Sequence, residues 1–202
     1  MNYQLVLNKT LEEIKSEHKT PGLLLHVCCA PCSSYVLEYL SDYFNITLYF
    51  YNPNIFPREE YCMRLRELKK FVQEFKSKNL LIIEEANYDP SEFYREISGL
   101  EKEKEGGSRC KKCYALRLEE AAGKAAEKSL DYFTTTLSIS PLKNAQIIND
   151  LGEVYEKKYG VRYLYADFKK QEGYKRSIIL SKQYGLYRQD YCGCEFSMKN
   201  KR

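Results

Sequence analysis

The chain contains no tryptophan and only two histidines, His18 and His26, in 202 residues. A catalytic metal site built on several imidazoles is therefore poorly supported. Long apolar runs are missing too: LLLHV, LYFY and LLII fall far short of the ~20 residues that cross a bilayer. The first twenty residues mix Lys, Glu and His around no apolar h-region, so a soluble, cytoplasmic protein with no membrane partner is expected. Glycine is absent where a nucleotide would need it. The turn after the first strand reads Cys28-Cys29-Ala30-Pro31-Cys32-Ser33-Ser34. No glycine lets backbone N–H groups approach phosphates there, and a proline removes one donor, which disfavours ATP binding. A strong charge of one sign is also lacking. With 32 basic against 28 acidic residues the net charge is +4, which permits a polyanionic partner without requiring one.

What is present is a globular balance, 44% hydrophobic and 30% charged, in a length that suits one domain. Residues 1–22 read as an N-terminal extension and 23–202 as the domain proper. Eight cysteines are the informative feature. Seven are clustered: Cys28, Cys29 and Cys32, then Cys110 and Cys113, then Cys192 and Cys194. Cys62 stands alone and reads as structural. In a chain of this size without a secretion signal, clustered cysteines point to metal or redox chemistry rather than a disulfide framework.

Hydrophobic periodicity predicts strands at 23–27, 46–51, 80–85, 131–137 and 162–168. Helices are predicted after Ser33 or Ser34 as N-cap, over 58–76, briefly from Pro90, over 110–128, from Asn144 to Gly160, and over 173–184. Five strands alternating with helices give an α/β fold, a mostly parallel sheet with helices on both faces. Ligands of such sheets bind beyond the carboxyl ends of the strands. The cysteine turn, Asn52-Pro53-Asn54 and Asp167 all fall on that rim.

Cys110-Lys111-Lys112-Cys113 places two thiols on one face of a helical turn, at an N-terminus whose dipole favours thiolate. With Cys28 and Cys29 they can close a four-sulfur site, for structural zinc or for an iron–sulfur cluster. Cys28-Cys29 lacks the C-x-x-C knuckle usual for zinc, which favours the cluster. Cys192-Gly193-Cys194 reads as a redox-active dithiol, with further metal ligands or incidental thiols as the alternative. His26 reads as a core histidine. Glu59, Glu60 and Arg64 read as a solvated helix face. Asn52 and Asn54 either serve their turn or bind a base. Tyr174 and Tyr187 either pack or stack on splayed bases. Arg109, Arg117, Lys143, Lys169, Lys170, Lys175, Arg176 and Arg188 are candidate phosphate contacts or plain surface charges.

HVCCAPCSSYVLEYL, YNPNIFPREEYCMR, SRCKKCYALRL, TTTLSISPLKN and YADFKKQEGYKRSIILSKQYGLYRQDYCGCEFS together resemble the QueH family of epoxyqueuosine reductases. The likeness spans about residues 23–197 and implies a single Rossmann-like domain of the nucleotide-hydrolase type. It implies cobalamin-independent reduction of epoxyqueuosine to queuosine in tRNA, the last step of that modification, with an unidentified electron donor. Carried over by position, it implies that Cys28, Cys29, Cys110 and Cys113 ligate a [4Fe–4S] cluster and that Cys192 and Cys194 form a redox-active disulfide. It also implies a neighbouring mononuclear iron, for which Cys32 is the nearest ligand. Asp167, Tyr51 or Tyr191 is the expected proton source. Asn52, Asn54, Lys169 and Arg176 are the expected substrate contacts. Two other functions remain open: a zinc-stapled RNA-binding module without catalysis, and a cluster-dependent tRNA sulfur transferase, against which the missing phosphate loop speaks.

Overall fold

The computed structural model describes residues 1–199. Five strands, β1 (Gly22–His26), β2 (Asn45–Phe50), β3 (Leu81–Glu85), β4 (Tyr132–Thr135) and β5 (Arg162–Tyr163), form one sheet in the order β3-β2-β1-β4-β5. Every pairing is parallel. The helices are α1 (Tyr3–Ser16), α2 (Ala30–Leu40), α3 (Arg58–Glu74), α4 (Pro90–Glu96), α5 (Ser108–Glu127), α6 (Ala145–Tyr159), α7 (Gly173–Gln183) and α8 (Glu195–Lys199).

Alternation along the strands decides which helices lie where, because successive side chains point to opposite faces. Leu23, Leu25, Ile46, Leu48 and Phe50 share a buried cluster with Leu7 and Leu11 of α1, Leu37 of α2, Leu68 of α3 and Leu180 of α7. Leu24, Tyr49 and Phe133 face the other way and pack against α5 and α6. Ala121, Ala122 and Ala125 line the sheet side of α5, and their small side chains bring that helix close to the strands. Residues 1–22 therefore contribute a packed helix to the core.

Several sequence expectations shift. α2 begins at Ala30, with Cys29 rather than Ser33 or Ser34 as its N-cap. The Cys29 sulfur accepts the N–H of Cys32 at 3.3 Å, a capping bond normally made by oxygen. The fourth strand stops at Thr135 and continues as a 3-10 helix, Thr136–Ile139. The fifth pairs only at Arg162 and Tyr163; Leu164 still donates its N–H to the Phe133 carbonyl at 2.9 Å, and the regular ladder ends there. β1 has β2 on one side and β4 on the other, so the crossovers diverge there and open a crevice at the carboxyl edge. The Cys28-Cys29 turn sits directly above that point.

Candidate metal and thiol site

Burial at the end of β1 begins with His26, which is fully enclosed. Its Nε2 lies 3.0 Å from the carbonyl of Tyr51, an acceptor only, so Nε2 carries the proton. Nδ1 then accepts from Thr135 Oγ1 at 2.8 Å, while that oxygen accepts the N–H of Leu137. Burial lowers the His26 pKa to about 4, so the ring is neutral and clamps β1, β2 and β4 just below the cysteines.

Cys28, Cys29 and Cys32 follow, with their three sulfurs all within 4.8 Å of one another. Among the described residues this is the one such group of three potential ligands. The Cys28 and Cys29 sulfurs are 3.9 Å apart, close enough to meet at one metal centre. Hydrogen bonds from Cys29 and Cys32 hold the Cys28 thiol well below its ordinary range. Burial pushes Cys29 up to about 12. A cation held among the three sulfurs is the group that would let them ionise together. Gln189 Nε2 also donates to the Cys29 sulfur at 3.0 Å, a contact its sequence position gave no sign of.

Cys110 and Cys113 occupy the first two turns of α5, where the spacing predicts one face. The N–H of Gly106 donates to the Cys110 sulfur at 3.2 Å, and burial pushes Cys113 up to about 12. They lie outside the 4.8 Å trio and line a small enclosed cavity with Asn54, Cys192 and Cys194. A larger cavity of about 430 Å³ adjoins it, lined by Cys28, Cys32, Lys143, Arg188, Gln189, Tyr191 and Cys192 among others. Cys192 borders both. All eight cysteines are free thiols in this structure.

The tail reaches this place through a specific dock. The N–H of Phe56 donates to the carbonyl of Gly193 at 2.8 Å, and Tyr191 Oη donates to the carbonyl of Phe56 at 2.8 Å. Gly193 has φ +127°, and a Cβ there would meet Ile55 Cγ1 at 3.1 Å and Arg64 Nη1 at 3.2 Å. The positive φ is what calls for glycine, and the two side-chain contacts leave little room besides.

Arg64 and Glu60, read from sequence as a solvated face, are buried: Arg64 is 1% exposed and its Nε donates to Glu60 at 2.8 Å. Arg109 and Arg117 are likewise buried rather than at the surface. The common cause is distant chain laid over the helices. Arg64 lies beneath the 191–193 segment, and the guanidinium of Arg109 sits 4.5 Å from the Phe196 ring centroid.

The remaining candidates divide. Asn54 reaches the small cavity, and both of its side-chain polar atoms are buried without a partner. Asn52 donates to the carbonyl of Val27 at 2.8 Å, holding the turn, while its Oδ1 is unpartnered. Tyr174 lines the larger cavity. Asp167 pairs with Lys169 at 2.6 Å, and Arg176 makes a two-pronged contact with Glu38 at 2.8 and 2.6 Å. Tyr51 Oη donates to Glu92 at 2.7 Å.

A family model described as epoxyqueuosine reductase QueH matches residues 23–200. Three relatives carry the same description. The Streptococcus pyogenes protein is 46% identical over 98% of this chain and 79% of its own length. That of Staphylococcus epidermidis is 44% identical over 98% of this chain and 84% of its own. That of Thermotoga maritima is 36% identical over 89% of this chain and 92% of its own. No helix among the described residues is long and apolar enough to cross a membrane.

Proposed function

The chain belongs to the epoxyqueuosine reductase QueH family, and from that premise we propose that it reduces epoxyqueuosine to queuosine in tRNA. One observation carries the reading: six cysteines from three distant segments line two adjoining cavities at the carboxyl edge of the sheet, and Cys29 lies within 4.8 Å of two of them.

Cys28, Cys29, Cys110 and Cys113 would hold a [4Fe–4S] cluster, and Cys32 a neighbouring iron. Their soft thiolate character suits iron, and the unpartnered Asn54 amide supplies buried N–H donors beside the sulfurs. Bound there, the cluster would supply electrons singly. Cys192 and Cys194 supply them in pairs. Two thiols becoming one disulfide release two electrons and two protons, the count that removes an epoxide oxygen as water and leaves a double bond. An external electron donor then restores the thiols. The larger cavity takes the modified base, with Lys143 and Tyr191 on its wall. Arg176 would bind phosphate by exchanging its partly exposed Glu38 partner, at small cost. Lys169 would do the same from a more enclosed pair, and Asp167, released from it at the same rim, would take up and supply the proton.

Anaerobic purification followed by iron, sulfide and zinc analysis, with an assay on epoxyqueuosine-containing tRNA, tests the reading. Iron and sulfide together with turnover are expected. Cys110→Ser and Cys113→Ser should lose metal, because a hard oxygen replaces thiolate poorly, whereas Cys62→Ser should keep both metal and activity. A colourless zinc protein without turnover would instead make the chain an RNA-binding module.

A further inference from the structure

Three buried guanidinium groups, Arg64, Arg109 and Arg117, lie near the sulfurs, and they are neutralised differently; Arg109 is met by the carbonyls of Glu101 and Glu103. Arg64 has the Glu60 carboxylate at 2.8 Å. Arg117 is also 1% exposed, yet among the described residues no carboxylate lies within 4.0 Å of it. Its Nε donates to the carbonyl of Cys113 at 3.2 Å, one turn back along α5. Its guanidinium carbon is 5.9 Å from the Tyr114 ring centroid, and Nη2 is buried with no hydrogen-bond partner. A buried charge with a spare donor and no anion is costly, and folded proteins keep such groups paired.

Arg117 follows Cys113 by one turn of α5, which puts the two side chains on one face of the helix. Cys113 lines the small cavity with Cys110, Cys192 and Cys194, so that face leads to the sulfur site. Neutral thiols there would leave the Arg117 charge uncompensated. Four thiolates around a dicationic core carry net negative charge, which grows on reduction.

Resting on the reading of these cysteines as metal ligands, we propose that Arg117 is the built-in counter-charge of the metal centre. Its Nη2–H is held for a sulfur of that centre, and its positive charge favours the reduced form and so raises the reduction potential. Arg117 is a positioning residue, acting through the centre rather than on substrate.

The test compares the parent with Arg117→Met and Arg117→Lys. Iron and sulfide are measured per chain, the midpoint potential is read by an EPR-monitored redox titration, and urea stability is measured with and without metal. Arg117→Met should keep its iron and sulfide, shift the potential downward, and destabilise the loaded chain. The metal-free Arg117→Met chain should be more stable than its metal-free parent, because an unpaired buried charge has gone. Arg117→Lys should restore most of the potential. An unchanged potential, equal destabilisation of both forms, or a metal-free Arg117→Met chain that fails to fold would each overturn the assignment and leave Arg117 a packing residue. A parent chain without iron and sulfide would overturn the metal-ligand reading as well.

Discussion

Arg64 Nη1 donates to the carbonyl oxygen of Cys192 at 3.3 Å, joining the first turns of α3 to a tail 128 positions away. The guanidinium carbon also lies 5.2 Å from the Tyr191 ring centroid, and Nε is held by Glu60. One buried ion pair therefore seats the segment that carries the Cys192 and Cys194 thiols.

Replacing Arg64 by Met leaves the Glu60 carboxylate buried and unpaired, which costs about 3 kcal/mol. In urea unfolding, Arg64→Met should lose stability of that order, and Arg64→Met with Glu60→Gln should recover much of it. A double variant no better than the single would show that the tail contacts, rather than the pair, supply the stability.

Gly193→Ala tests the seat itself. The backbone at φ +127° and the contacts with Ile55 and Arg64 both resist a methyl group, at a cost of about 1–3 kcal/mol. The tail should detach before the core unfolds. Metal content should match the parent, multiple turnover should fall at least tenfold, and Cys192 should alkylate faster. Retained turnover would place the dithiol outside the reaction.

His26 gives a pH dependence with a definite sign. Its folded pKa is lowered from 6.5 to about 4 by burial, so between those values the unfolded chain binds a proton that the folded chain does not. Stability is therefore lost as pH falls through this window, by about 2 kcal/mol between pH 7 and pH 5. His26→Gln should show a shallower fall than the parent in urea titrations at those two pH values. Parallel curves would mean that the ring is already protonated or exposed.

The sequence by itself determined the alternation of elements, because apolar runs such as Leu23-Leu24-Leu25 and the striped helices carry their periods locally. It also marked the cysteine groups, since a turn lacking glycine but holding three thiols has few uses, and the C-x-x-C pair lies on one face of any helix. What it left undetermined was what covers each face. Glu60 and Arg64 are spaced like a solvated ion pair, and Arg117 sits in a charged helix of ordinary composition. Their burial depends on Tyr191–Cys194 crossing α3 and on Cys28 and Cys192 meeting α5, contacts made across more than seventy positions of chain. Local periodicity reports a helix's own pattern and carries no information about a segment that folds over it. Only the tertiary structure turned these arginines from surface charges into parts of the sulfur site.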